Sequence, residues 1–227
     1  MQVALILSGG IGMRFGERIP KQYIEAAGRP VIAYALELFE KHEQIDRIQI
    51  VAAARWHELV FAFAGSKFAG FSRPGQNRQL SILNGLEDLL KYASPKDAVI
   101  VHDAVRPLVR AQTVTRILET LKEHEAVAPV LPLRDTIYSC ANGRFIGTPR
   151  RDLLVAGQAP EGFRLGKYYR AVKALLPDAI YEITGSLQAA LLADLDAVSV
   201  PGDEENFKIT TKEDLFRFEQ ILKERCV

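Results

Sequence analysis

Short apolar, β-branched runs alternate along the chain with longer segments whose apolar residues recur every three or four positions. The first pattern predicts strands and the second predicts amphipathic helices. Strands are expected at 3–7, 47–54, 70–74, 97–107 (running into a loop), 126–133 and 196–201. Helices are expected at 30–42, 56–64, 80–93, 113–125, 164–176, 184–195 and 211–226. This alternation predicts an α/β fold whose mostly parallel sheet is covered on both faces.

Residues 134–160 interrupt the alternation. Two short β-rich stretches, TIYSC and RFIGT, flank Ala141-Asn142-Gly143, which is a strong turn signal and predicts a β-hairpin. A lone two-stranded hairpin is marginally stable in water, so this arm, at about 134–151, is expected to pack against something such as a second subunit. Since no repeat or linker stands out, we expect one domain over residues 1–227.

Composition and charge narrow the class of protein. The 227 residues are 48% hydrophobic and 25% charged, as in soluble globular proteins, and the net charge of +1 gives no support for nucleic acid or an anionic membrane as a partner. Cys140 and Cys226 lie in no metal-binding spacing, so zinc and disulfides are not expected. The start lacks the basic region of a signal peptide, and no apolar run reaches the roughly 20 residues of a membrane span. We therefore expect a cytoplasmic protein.

The first predicted strand runs into LSGGIGMRFGERIPKQY at residues 7–23. Glycines let backbone N–H groups approach a phosphate closely, and Arg14 and Lys21 add positive charge. The expected phosphate-contacting glycines are Gly9, Gly10 and Gly12. The P-loop pattern is absent, and the dinucleotide pattern fails at Phe15, which disfavours an NAD-dependent dehydrogenase. The alternative is a tight turn carrying two solvated cations.

A second group of polar residues, HDAVRP at 102–107, follows the strand predicted from residue 97. A carboxylate directly after a buried strand is well placed to hold a divalent metal, so Asp103 is the metal candidate. Arg106 would complement an anionic substrate or orient the loop. His102 is interpreted as a packed histidine rather than a catalyst.

Two further polar segments complete the candidate site. In GQNRQLS at 75–81, Gly75 and Ser81 could read a nucleobase edge, with an ordinary helix cap as the alternative. Lys208 follows the last predicted strand. Because parallel strands end at one edge of a sheet, Arg14, Lys21, Arg106 and Lys208 are expected to surround one polyanion there.

Six motifs in this order, LSGGIGMRFG…PKQY, the 75–81 loop, HDAVRP, RDTIY, GQAPEGF and NFKITTKEDL, resemble one family over nearly the whole chain. It is the family of cytidylyltransferases that activate polyol phosphates, namely the 2-C-methyl-D-erythritol 4-phosphate and D-ribitol 5-phosphate enzymes. They serve isoprenoid biosynthesis or teichoic acid and polyol phosphate metabolism. LSGGIG and NFKITT lean toward the ribitol phosphate branch, whereas RDTIY suits either.

The resemblance implies a Rossmann-like, three-layer nucleotidyltransferase and a homodimer with interlocking hairpin arms. It implies CTP, a polyol phosphate and Mg²⁺, giving a CDP-polyol and pyrophosphate. Arg14 and Lys21 match positions that grip the CTP phosphates, and Gly75 and Ser81 match the cytosine-reading loop. Asp103 matches a position that binds metal or substrate hydroxyls. The positions around the substrate phosphate match Arg106, Lys208, Thr136 and Arg151, the last two supplied by the partner's arm.

Three departures from the family's pattern are visible. Its Q-T-P-Q is Gln158-Ala159-Pro160-Glu161 here, which loses a hydroxyl and gains a charge. Its T-D stretch is Thr184-Gly185-Ser186, which lacks an acid, and Gln76 replaces an acidic residue in the base-reading loop. A nucleotidyltransferase for another sugar or polyol phosphate, and a non-catalytic nucleotide-binding relative, are the alternatives.

Overall fold

A computed structural model describes residues 1–10 and 19–225, so the predictions for Gly12 and Arg14 lie outside the described residues. The strands are β1 Gln2–Leu7, β2 Glu25–Ala26, β3 Arg29–Pro30, β4 Arg47–Val51, β5 Phe68–Ser72, β6 Ala98–Asp103, β7 Ala126–Pro132, β8 Ser139–Ala141, β9 Arg144–Gly147, β10 Val155–Gly157, β11 Glu161–Arg164 and β12 Ala197–Pro201. The α-helices are α1 Val31–Lys41, α2 His57–Phe61, α3 Arg78–Leu89, α4 Ala111–Thr120, α5 Leu165–Lys173, α6 Ser186–Leu192 and α7 Lys212–Arg225.

Eight strands form one central sheet in the order β10-β7-β11-β6-β1-β4-β5, with β12 paired to β7. Side chains of β1 alternate between two apolar cores because successive residues of a strand face opposite sides. Ala4 and Ile6 pack on the face covered by α1 and α4, whereas Val3 and Leu5 pack on the face covered by α3 and α5. The predicted three-layer α/β fold is confirmed.

Four short strands were not predicted, namely β2, β3, β10 and β11, and β11 changes the topology. β11 lies between β6 and β7 and runs antiparallel to both, so the centre of the sheet is mixed rather than parallel. Its four residues, EGFR, are too few and too polar to produce a strand pattern. A Cβ on Gly162 would lie 2.3 Å from Ile117 of α4, so glycine permits the close approach of that helix to β11.

β1 and β6 are parallel neighbours, and Leu7 pairs with Asp103 at the point where both strands end. The glycine-rich segment and the HDAVRP loop therefore leave the sheet at the same edge, as predicted. We call this edge, defined by Leu7 and Asp103, the carboxyl edge.

The predicted hairpin arm is present as β8 and β9. Asn142 and Gly143 in its turn have φ angles of 49° and 74°, the positive values that two-residue hairpin turns require. Phe145 is 77% exposed and Ile146 is 68% exposed, so the arm places apolar surface in solvent. None of the helices in residues 1–10 and 19–225 is both long and apolar enough to cross a bilayer.

Candidate active site

The carboxyl edge carries a buried carboxylate, Asp103, with cations on both of its oxygens. Arg78 donates from Nε to Oδ1 at 3.0 Å, and Lys208 donates from Nζ to Oδ2 at 2.9 Å. Burial alone would raise the pKa of Asp103, but Arg78 and Lys208 outweigh it and hold this pKa far below its ordinary value. The carboxylate is therefore ionised at neutral pH and fixes two positive side chains at this edge.

Arg78 is positioned by the first turn of α3. Asn77 caps the helix because its side-chain oxygen accepts from the backbone N–H of Leu80 at 2.7 Å. Besides Asp103, the Arg78 guanidinium donates to the Ser186 hydroxyl at 2.6 Å and lies 4.0 Å from a carboxylate oxygen of Glu161. We use the name Asp103 cluster for five residues: Asp103, Arg78, Ser186, Glu161 and Lys208.

Glu161 enters the cluster because β11 is antiparallel to β6. It is the first residue of β11 and pairs with Val101, so its side chain lies on the same face of the sheet as Asp103, two residues further along β6. Burial raises the pKa of Glu161, and contacts with Ser186 and Arg78 only partly offset this effect. Its Oε1 also accepts from the backbone N–H of Leu187 in α6 at 3.2 Å.

Lys208 lies in the loop between β12 and α7, which is tied to the site on both sides of the lysine. Arg106 donates to the backbone oxygen of Asn206 at 2.6 Å, and the Asn206 amide donates to the backbone oxygen of Ala159 at 2.7 Å. On the other side, the N–H of Ile209 donates to the oxygen of Val105 at 2.9 Å. The lysine is thus carried on a short, anchored stretch of backbone.

The contacts around the Lys208 loop also bear on the predictions for Arg106 and His102 in HDAVRP. Arg106 uses one guanidinium nitrogen to hold the Lys208 loop, and burial lowers its pKa. His102 is fully buried, and its Nε2 donates to the oxygen of Arg106 at 3.1 Å. Because burial lowers the pKa of His102 to about 4, the ring is neutral at pH 7, which agrees with a packing role.

The PKQY motif holds the beginning of the glycine-rich segment. The Gln22 amide donates to the backbone oxygens of Ser8 and Gly10, both at 2.7 Å, and the Tyr23 hydroxyl donates to Ser8 at 2.8 Å. Lys21 therefore begins a turn that is anchored against β1. The backbone at Gly9 passes so close to Pro74 that a Cβ there would lie 2.7 Å from it.

The predicted base-reading loop has a different internal arrangement from the one expected. Ser81 lies inside the first turn of α3 rather than at its start, because the helix begins at Arg78. Its hydroxyl accepts from the N–H of Gly75 at 2.9 Å and donates to the oxygen of Asn77 at 2.9 Å. Ser81 thus shapes the loop, and Gln76 accepts from Tyr181 at 3.0 Å. A base-reading role for Gly75 and Ser81 stays a prediction.

Replacing Asn77 by alanine is expected to lower the free energy of unfolding by about 1 kcal/mol, because the cap on α3 is lost. Denaturant unfolding measures this change. Asn77→Ser is the matched control, since serine caps as well as asparagine and, like alanine, lacks the amide that donates to the backbone oxygen of Ile180 at 2.9 Å. Equal stability of Asn77→Ala and the parent would contradict the capping role.

Thr136 and Arg151 are not brought to the Asp103 cluster of their own chain. Both are exposed on the arm, and Arg151 donates to the backbone oxygen of Arg134 at 3.1 Å. Their predicted role in a partner's site stays a prediction.

The fit of a metal ion to Asp103 can be judged from its contacts. Both carboxylate oxygens accept from cations, and in residues 1–10 and 19–225 no group of three or more His, Cys, Asp or Glu side chains could hold a metal. These donors do not fit a resident metal ion, because Mg²⁺ requires several oxygen ligands. Asp103 as a metal ligand stays a prediction that this geometry does not favour.

A groove of about 560 Å³ lies away from the site, at the amino end of β6. Lys96, Glu123, Arg164 and Lys167 are among its lining residues. Ligands of open α/β sheets bind outside the carboxyl ends of strands, so this groove is not assigned to the nucleotide.

Sequence reasoning missed three members of the Asp103 cluster: Arg78, Glu161 and Ser186. Arg78 lies within the 75–81 motif and follows a predicted strand. The same position after a strand identified the other candidate cations, so this signal could have found Arg78. Glu161 and Ser186 were noted as departures, but their meeting at one guanidinium depends on β11, which was not predicted.

Comparison with known proteins supplies the family. The model of the family "IspD: 2-C-methyl-D-erythritol 4-phosphate cytidylyltransferase" matches residues 2–224. The 2-C-methyl-D-erythritol 4-phosphate cytidylyltransferase of Rubrobacter xylanophilus is 36% identical, over 98% of this chain and 95% of the relative. The Geobacter metallireducens protein of the same name is 34% identical, over 98% and 97%.

A solved structure agrees with these relatives. The crystal structure of 4-diphosphocytidyl-2C-methyl-D-erythritol synthase superposes with a TM-score of 0.83 at 26% identity, covering 97% of this chain and 99% of the other. These names favour the methylerythritol branch over the ribitol phosphate branch, toward which two motifs leaned. The chain belongs to the IspD family of 2-C-methyl-D-erythritol 4-phosphate cytidylyltransferases.

Proposed function

We propose that this protein transfers CMP from CTP to 2-C-methyl-D-erythritol 4-phosphate, releasing pyrophosphate, and so serves isoprenoid biosynthesis. Family membership supports this proposal. The observation that carries it is the placement of Lys208, held 2.9 Å from Asp103 at the edge where the glycine-rich segment leaves β1. A cation fixed there can meet a phosphate that is bound on that segment.

In the proposed reaction, a phosphate oxygen of the acceptor attacks the α-phosphorus of CTP in line. The bond between the α-phosphorus and its bridging oxygen to the β-phosphate breaks, and pyrophosphate leaves with the electron pair. No protein nucleophile is needed, because the acceptor phosphate is already anionic at pH 7. The protein must offset the repulsion between two anions and the charge that builds on the α-phosphoryl oxygens.

We assign that task to cations around the carboxyl edge. Lys208 and Arg106 would face the acceptor phosphate, and Lys21 would grip the triphosphate together with Arg14, which lies outside the described residues. Asp103 orients Arg78 and Lys208, and its carboxylate oxygens, each of which can accept more than one hydrogen bond, would also accept from substrate hydroxyls.

We propose that Mg²⁺ enters with CTP rather than residing on the protein. The contacts of Asp103 support this, because both of its oxygens are already engaged. When bound, the ion would neutralise phosphate charge, and phosphate oxygens and waters would be its main ligands.

The test is to incubate the purified protein with CTP, Mg²⁺ and 2-C-methyl-D-erythritol 4-phosphate, and to measure pyrophosphate and the CDP-linked product. D-ribitol 5-phosphate is the competing acceptor, and UTP and ATP are the competing nucleotides. Turnover of ribitol phosphate alone would replace the proposed acceptor. CTP binding without turnover of either acceptor would identify a non-catalytic nucleotide-binding relative.

The proposal includes a homodimer in which each arm supplies Thr136 and Arg151 to the partner's site. The exposed Phe145 and Ile146 support it, because apolar side chains on a projecting hairpin are typical of a surface that another chain covers. A cytoplasmic location, expected from the two isolated cysteines, belongs to the same proposal.

Mixing two inactive variants tests the shared site. Arg151→Ala and Lys208→Ala are each expected to be nearly inactive, whereas an equimolar mixture should recover about a quarter of the parent activity. Half of the randomly formed dimers are mixed, and each mixed dimer has one intact site. Activity of the mixture that stays at the level of the single variants would show that arm and site belong to one chain.

A further inference from the structure

Glu161 is a buried acid for which the proposed reaction has no direct use. Its side chain is 13% exposed, and the polar side chains around it come from four different elements. Arg78 from α3 lies 4.0 Å away, Asp103 is on β6, and the buried Tyr168 of α5 and Ser186 of α6 complete its surroundings. A carboxyl group at this burial is costly to ionise unless a cation lies beside it, so its place here needs a physical reason.

The geometry around Arg78 supplies that reason. The guanidinium nitrogen Nη2 lies 3.0 Å from Asp103 and 4.0 Å from Glu161, while Nη1 donates to Ser186 at 2.6 Å. Both carboxylates therefore contact the Nη2 end of the planar guanidinium, Asp103 at hydrogen-bond distance and Glu161 at ion-pair distance, and the hydroxyl contacts its Nη1 end. With all three partners present, its rotation about the side-chain axis is restricted.

The two carboxylates are also held by regular structure. Asp103 ends β6 and Glu161 begins β11, and the pairing of Glu161 with Val101 fixes their separation through backbone hydrogen bonds. The N–H of Leu187 holds the second oxygen of Glu161 at 3.2 Å. The Glu161 carboxylate is thus held in one orientation before any ligand binds.

We propose that Glu161 is a positioning residue that, with Ser186, fixes the Arg78 guanidinium and thereby the Asp103 carboxylate on which Lys208 is held. This inference rests on the proposed function. Ser186 adds no charge, so in this chain the second negative charge on Arg78 comes from β11. Glu161 does not touch substrate in this role, and it acts through Arg78.

The first experiment replaces Glu161 by glutamine, which keeps the shape and the acceptor for Leu187 but removes the charge. We expect kcat for the CTP and 2-C-methyl-D-erythritol 4-phosphate reaction to fall about tenfold or more, because Lys208 is less well placed. The KM for CTP should stay within twofold. Glu87→Gln is the matched control, since Glu87 is exposed on α3. A kcat of Glu161→Gln within twofold of the parent would overturn the proposal.

The second variant restores a negative charge next to Arg78 by placing it on α6 instead of β11. In Glu161→Gln/Ser186→Asp, a carboxylate is offered to the Arg78 nitrogen that now contacts the Ser186 hydroxyl. We expect kcat to rise to within about threefold of the parent. If the double variant is folded, as judged by its melting temperature, and its kcat stays at the level of Glu161→Gln, the charge on Arg78 is not what matters and the proposal fails.

A third measurement does not depend on activity and separates this proposal from the proposed function. Glu161→Gln is combined with Arg78→Met, and the melting temperatures of the parent, both single variants and the double variant are compared. If Glu161 acts on Arg78, Glu161→Gln should shift the melting temperature further upward in the Arg78→Met background than in the parent. In that background Glu161 has lost its cation, so the substitution removes an unpaired charge. Equal shifts in the two backgrounds would contradict the pairing, whether or not the parent turns over substrate.

Discussion

Replacing Lys208 by alanine is expected to lower kcat for CMP transfer about 10²–10³-fold, as the loss of one preorganised charge-stabilising group does in other enzymes. Lys208 is held on Asp103 before substrate arrives, so its charge is available without reorganisation when the α-phosphoryl group becomes more negative. Steady-state kinetics at saturating CTP and acceptor measures the change.

The exposed Lys223 of α7 provides the matched control, and Lys223→Ala should keep the parent's kcat. A melting temperature of Lys208→Ala near that of the parent excludes unfolding as the cause. If Lys208→Ala retains kcat within twofold, Lys208 has no part in the chemical step.

The second large effect is expected from Asp103→Asn. This substitution leaves Arg78 and Lys208 without their common anion, which should lower the free energy of unfolding by about 2–3 kcal/mol. We expect less than the loss of a fully buried pair because Lys208 is 36% exposed and water replaces part of the interaction. Activity should fall as well, since both cations lose their fixed positions.

Stability measured against pH separates this effect from a simple packing defect. The pKa of Asp103 is lowered in the folded protein, so its stabilisation is fully present above the ordinary aspartate pKa of about 3.9. That stabilisation is lost as pH falls through the folded-state pKa. The difference in the free energy of unfolding between the parent and Asp103→Asn should therefore be constant near neutral pH and become smaller in acid. Asp88→Asn, which breaks an exposed pair with Lys91, should change stability much less, because water screens that interaction. A difference that does not change with pH would argue against the ionised carboxylate.

The sequence predicted the parts of the site that follow long, regular strands. β1 and β6 have strong apolar patterns, and parallel strands end at one edge, so the meeting of the glycine-rich segment with HDAVRP could be anticipated. Lys208 could be anticipated for the same reason, because it follows β12. These inferences needed only the strand period and the direction of the chain.

What escaped prediction depends on tertiary pairing. β11 is four residues long and is a strand because β6 and β7 flank it, not because of its own pattern. Without β11, nothing in the sequence places Glu161 beside Arg78, and Asp103 then looks like an open carboxylate suited to a metal. The two cations that occupy its oxygens come from residues 25 and 105 positions away.

The carboxyl edge divides its charges between two kinds of backbone. The acids Asp103 and Glu161 stand on strands of the central sheet, whereas Arg106 and Lys208 stand on the connections between elements. Connections tolerate insertion and replacement far better than sheet strands do. An engineer who grafts new loops onto this scaffold would therefore relocate Arg106 and Lys208, whereas the two acids and Arg78, which stands on α3, would keep their positions. The range of acceptors could then be changed without altering the central sheet.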